Sequence, residues 1–149
     1  MNQTSQDICR VLESIIDGMF GLSADQHDLD EISMPDFVAS RVIFLGEEQG
    51  IRQVLVLRAA TGLARKLAAT MFGIELAEVT DEDVNDVVGE LTNIAGGNLR
   101  SNALMDSRLS TPERLEPADF LTHISEFQTI EMGRLMVDDQ LFEAHLLAG

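Results

Sequence analysis

The sequence predicts an α+β domain of two layers, with helices packed on a largely antiparallel sheet. Two segments, residues 4–20 and 81–105, carry apolar residues at helical spacing. Two others, 38–60 and 125–147, are paired runs of β-branched and aliphatic residues around short turn-like connectors. The resulting order is helix, hairpin, two helices, hairpin, which suits helices laid on an antiparallel sheet.

The first helix places Ile8, Val11, Leu12, Ile15, Ile16 and Met19 on one stripe and stops near Gly21. A polar, acidic loop follows from Ser23 to Glu31. Val38–Leu45 and Arg52–Ala60 read as strands, and the Gly46–Gly50 segment suits the connection between them. Thr61-Gly62 opens a helix over about Leu63–Phe72, with Thr61 as its initiator and Gly73 able to end it. Thr80 and Asp83 form a capping-box pattern. Asp81, Glu82 and Asp83 add carboxylates where a helix N-terminus favours them. A helix over 81–105 spans roughly 37 Å. Pro112 and Pro117 mark a break, and Asp138-Asp139 is a two-residue turn between strands near 125–137 and 140–147.

The chain has 149 residues, 45% hydrophobic and 24% charged, with no linker or low-complexity tract, as expected for one globular domain over 1–149. Ten basic against 26 acidic side chains leave a formal net charge of −16. That field repels phosphate backbones and anionic lipid, which argues against nucleic-acid and membrane partners. No apolar run approaches 18 residues and the N-terminus lacks a leader pattern, so a cytoplasmic location is expected. Cys9 is the only cysteine, which excludes an internal disulfide, and its apolar neighbours suggest a small buried thiol. His27, His123 and His145 lack metal-ligand spacing, so no metal site is expected. The Thr61-Gly62 turn lacks the rest of a phosphate-binding fingerprint.

The informative segment is Asp81–Gly97. At about 100° per residue, Asp86, Glu90 and Asn93 fall within roughly 60° of one another. Val84, Val87, Val88, Leu91, Ile94 and Ala95 gather opposite them, which defines a buried face. Gly89, Gly96 and Gly97 fall beside the polar residues, although each costs about 0.5–1 kcal/mol relative to alanine within a helix. Close approach of another macromolecule would explain them.

The run Asp86-Val-Val-Gly-Glu90-Leu-Thr-Asn93-Ile-Ala-Gly-Gly97 resembles the signature helix of the CheX/CheC/FliY chemotaxis phosphatases. That pattern is Asp or Ser, three residues, Glu, two residues, Asn, and then glycine. The other elements resemble a CheX-type domain in order and size, which implies a CheC-like fold. The resemblance further implies dephosphorylation of a phospho-aspartyl receiver domain such as CheY. Asn93 would orient the attacking water, and Glu90 would pair with the receiver's lysine. Asp86, Gly89, Gly96 and Gly97 would serve docking. Mg²⁺ would belong to the receiver, leaving this chain without a cofactor. Members of the CheC type often carry a second ExxN near the start, but here the sequence reads Glu13-Ser-Ile-Ile16. One motif per chain is the CheX arrangement, which implies a homodimer.

Two other readings stay open. The same fold could dock on a receiver or switch component without catalysis. Alternatively, the glycine-bearing face could be a dimer or helix-packing contact, with Glu90 and Asn93 shielded in the free protein.

Overall fold

In a computed structural model, the chain is described over residues 3–26, 36–46, 50–102 and 107–148. Part of the expected acidic loop, the tip of the first hairpin connection and the last turn expected near 105 lie outside the described residues. The first helix, α1 (Gln3–Phe20), is followed by β1 (Asp25–Gln26) and the hairpin of β2 (Phe37–Leu45) and β3 (Ile51–Ala60). Next come α2 (Thr61–Phe72), a 3-10 turn at Leu76–Glu78 and the long α3 (Asp81–Asn102). Two short strands, β4 (Arg108–Leu109) and β5 (Glu113–Leu115), lead to α4 (Pro117–Ser125). The hairpin of β6 (Gln128–Val137) and β7 (Gln140–Ala148) closes the order.

All pairings are antiparallel, in the order β1-β6-β7-β3-β2-β4, with β5 also on β2. Asp138 and Asp139 both have positive φ, 50° and 61°, the backbone of the tight turn whose twist matches a hairpin. Gly73 ends α2 in the left-handed region at φ 65°. The capping box is formed: the Thr80 amide donates to Asp83 Oδ2 at 3.0 Å, and the Asp83 amide donates to Thr80 Oγ1 at 3.1 Å. Thr61 behaves differently from its expected role. It is the first helical residue, and its hydroxyl donates to Asp36 Oδ1 at 2.8 Å instead of capping α2.

Successive residues of a strand face opposite sides of the sheet, and the burial follows that rule. Leu55, Leu57, Phe142 and Leu146 meet the apolar stripes of α1, α2 and α3 in one large core. Val54, Val56 and Leu147 form a smaller cluster on the other face, under Phe120 of α4. Close seating of α1 needs Gly133, where a Cβ would stand 2.7 Å from Ile8 Cγ2 and 3.2 Å from Cys9 Sγ. Cys9 is buried there, as its pattern suggested, and that burial pushes its thiol pKa up.

Helix α4 stands where Pro112 and Pro117 suggest only a break. Proline suits the first turn of a helix, where its missing N–H would have no partner. Pro117 therefore starts α4, and the strand expected from about 125 begins only at Gln128. The two- and three-residue strands are too short to leave a periodic trace.

The face under α4 holds a buried ionic cluster. Glu143 is fully buried and accepts from Arg58 Nε at 2.6 Å and Arg134 Nε at 2.8 Å, and its Oε1 lies 2.7 Å from His145 Nε2. Phe37 and Phe120 cover the Arg58 guanidinium at 4.8 and 4.4 Å. Burial alone would raise the Glu143 pKa, but the bonds from His145 and Arg58 outweigh it and hold the carboxyl down at about 2.

Candidate functional site

Helix α3 is fastened to the domain by Val84, Val87, Val88, Leu91, Ala95 and Leu99, all buried in the main core. This is the apolar face expected from the sequence, with Ile94 packed at its edge. Thr92 is fully buried and satisfies its hydroxyl by donating to the Val88 carbonyl at 2.6 Å.

The polar face is built as the spacing required. Asp86 and Glu90 are exposed and Asn93 is half-buried. Residues three and four apart are helix neighbours, so the three side chains share one strip. Asparagines on α3 behave differently from one another. Asn85 Nδ2 donates to the Asp81 carbonyl at 2.9 Å and Asn98 Nδ2 to the Ile94 carbonyl at 3.1 Å, which ties both amides to the helix. Among the described residues, neither the Asn93 carboxamide nor the Glu90 carboxylate has a hydrogen-bond or ion-pair partner.

The glycines separate into three kinds. Gly97 lies beside Glu90 and Asn93, where a Cβ would meet no atom within 4 Å. At Gly89 a Cβ would make ordinary contact with Pro112 Cβ at 3.7 Å and Ser40 Oγ at 3.9 Å. Gly96 departs from the docking role expected of it. It is buried, and a Cβ there would stand 2.9 Å from Val42 Cγ2 and 3.1 Å from Leu109 Cδ1. Its small size lets α3 lie close on β2 and β4. The packing-contact reading therefore describes Gly96, while exposure of Glu90 runs against it for the polar strip.

An open groove of about 850 Å³ borders the Asp86–Glu90 end of this strip. Asp86, Gly89 and Glu90 line it, together with Met19 of α1, Met71 and Phe72 of α2, Pro112 and Arg114. None of the last five was singled out for function in the sequence, although Met19 and Phe72 end the apolar runs of their helices. The Glu13-to-Ile16 segment offers no second strip, because Ile16 is fully buried in the core.

A carboxylate and a carboxamide one turn apart can do specific things. The carboxylate accepts hydrogen bonds from a cation, and the carboxamide both donates and accepts. Neither is a strong nucleophile or base. Among the described residues, no group of three or more His, Cys, Asp or Glu side chains is placed to hold a metal ion. No helix there is long and apolar enough to cross a membrane. The strip thus has the chemistry to engage a charged, hydrated group carried by another molecule.

A family model described as chemotaxis phosphatase CheX matches residues 38–132, well over half of the chain. No curated protein matches by sequence. Among solved structures, CheX from Vibrio vulnificus is similar with a TM-score of 0.73 and 17% identity, covering 97% of this chain and 95% of that one. A CheC-like protein from Shewanella oneidensis has a TM-score of 0.67 at 14% identity over 99% of both chains. A CheX–CheY–BeF₃–Mg²⁺ complex from Borrelia burgdorferi has a TM-score of 0.66 at 16% identity, covering 96% and 95%. At these identities the structures establish the shared fold, with helices on an open antiparallel sheet.

Proposed function

The chain belongs to the CheX family of chemotaxis phosphatases, and from that premise we propose that it dephosphorylates the phospho-aspartate of a CheY-like receiver domain. The carrying observation is the Glu90–Asn93 pair, presented on a rigid helix with neither side chain bound to another described residue. In this reading Asn93 enters the receiver's site, holds a water by its carboxamide oxygen and donates from its amide to a phosphoryl oxygen. Phosphoryl transfer needs an in-line nucleophile and charge stabilisation more than a strong base, so a carboxamide suffices. Glu90 accepts a charge-assisted hydrogen bond from the receiver's lysine and fixes the register of docking. Asp86, one turn earlier, borders the same groove and supports that docking, with Gly89 and Gly97 leaving room for the partner's loops. The Mg²⁺ belongs to the receiver. A CheX from Borrelia burgdorferi is seen with CheY, which supports the choice of partner, and family membership supports a homodimer.

The test is phosphate release from a phosphorylated receiver with wild type, Asn93→Ala and Glu90→Ala. Loss of one well-placed amide donor lowers the rate by about 10²–10³. If both variants shorten the aspartyl-phosphate lifetime as well as wild type does, the assignment is wrong. Saturable binding with an unchanged lifetime would mean a docking module without catalysis. Light scattering of the purified chain checks the dimer.

A further inference from the structure

Two helices carry apolar stripes that overrun the core. In α1 the stripe Ile8, Leu12, Ile15 and Ile16 is buried, yet Met19, at the next position of the same stripe, is 43% exposed. In α2 the stripe Leu63, Ala64, Leu67 and Ala68 is buried, and its continuation emerges at half-buried Met71 and at Phe72, 41% exposed. Both overruns end at the groove that Asp86 and Glu90 line. Met71 still packs against the main core, but folding alone does not call for large apolar side chains at exposed Met19 and Phe72, since a polar residue there would be better solvated. Methionine and phenylalanine supply an adaptable, apolar contact surface.

We propose that Met19, Met71 and Phe72 form an apolar shoulder that packs against an apolar patch on the receiver domain beside its phosphorylation site. This rests on the function proposed above and deepens it. Charge selects the occupant. Two carboxylates, Asp86 and Glu90, adjoin the shoulder on a chain of net charge −16, and Arg114, which lines the same groove, is paired with Glu116 at 3.1 Å. A second copy would bring the same carboxylates face to face, whereas a receiver brings the lysine that Glu90 would pair with. The division of labour is then physical. Asn93 and Glu90 act on the phosphorylated site, and the shoulder contributes affinity that salt does not screen.

The experiment compares Met19→Gln, Phe72→Gln and their double variant with wild type on a phosphorylated receiver. Both side chains are exposed by more than two fifths, so the variants keep the fold, which thermal melting checks. Each single substitution raises Kd and KM about tenfold, as for a side chain at an interface centre, and leaves kcat within about twofold. The rise is the same at low and high salt. Leu121→Gln, at a position 71% exposed on α4, leaves both constants unchanged. If the double variant has wild-type Kd and KM, or if the substitutions only dissociate a dimer of this chain, the shoulder is overturned. Failure of the phosphatase reading is visible separately. Wild type then binds the receiver without shortening its phosphate lifetime, and the loss of affinity in Phe72→Gln still supports the shoulder.

Discussion

Adjacent glycines on α3 should respond in opposite directions to the same added methyl group. Within a helix, Gly→Ala gains about 0.5–1 kcal/mol from lower backbone entropy in the unfolded chain. At Gly97 a Cβ meets nothing within 4 Å, so Gly97→Ala keeps that gain. At Gly96 the Cβ would stand 2.9 Å from Val42 Cγ2 and 3.1 and 3.3 Å from the Leu109 methyls. Val42 is fully buried mid-strand, paired with Leu55, and its β-branched side chain has little rotamer freedom. Overpacking of this kind costs about 1–3 kcal/mol, which leaves Gly96→Ala less stable by up to about 2.5 kcal/mol. Unfolding entropy near 2.1 cal/mol/K per residue converts this to a Tm lower by up to about 8 °C, against a rise of about 2–3 °C for Gly97→Ala. Thermal melting of both variants measures the pair, and receiver titration separates stability from function. Gly97→Ala weakens receiver binding although it is the more stable protein, because its methyl occupies the proposed docking face. Gly96→Ala retains binding below its Tm. A Gly96→Ala protein as stable as Gly97→Ala would refute the packing argument, and loss of its receiver binding alone would return Gly96 to the docking surface.

Other outcomes follow from the same geometry. Glu143→Gln removes the buried carboxylate that Arg58 and Arg134 share and destabilises the fold by about 3–5 kcal/mol in urea unfolding. A carboxyl held at about 2, below its ordinary 4.5, contributes stability present above pH 4.5 and lost as pH falls toward 2. The loss in wild type is about 3 kcal/mol at about 1.4 kcal/mol per pKa unit, and the part due to this group is absent from the acid titration of Glu143→Gln. Thr80→Ala removes the hydroxyl that accepts from the Asp83 amide, keeps the residue-80 amide that donates to Asp83 Oδ2, and costs about 1 kcal/mol, again read by urea unfolding. Binding to an acidic receiver should be unchanged or strengthened by moderate salt, since screening weakens like-charge repulsion. A steep loss of affinity with salt would instead indicate a basic partner.

Local pattern carried most of the site. The spacing of Asp86, Glu90 and Asn93 against Val84, Val87, Val88 and Leu91 defines which side of α3 is exposed, because one helical period relates them all. Thr80 and Asp83 lie three residues apart and Asp138 and Asp139 are adjacent, so their cap and turn are equally local. The α+β class follows from the same periods. Residues brought together across the chain left no such trace. Gly96 and Gly97 are indistinguishable in sequence, and only the approach of Val42 and Leu109 assigns one to packing. Met19 and Phe72 each end an ordinary apolar stripe, and their meeting beside Glu90 depends on where α1 and α2 terminate against the middle of α3. Arg58 and Glu143 are 85 residues apart, and their pairing needed the β3–β7 register that sets them opposite each other. Periodicity records which face of an element is apolar, whereas contact between elements depends on register and helix seating, which are decided in three dimensions.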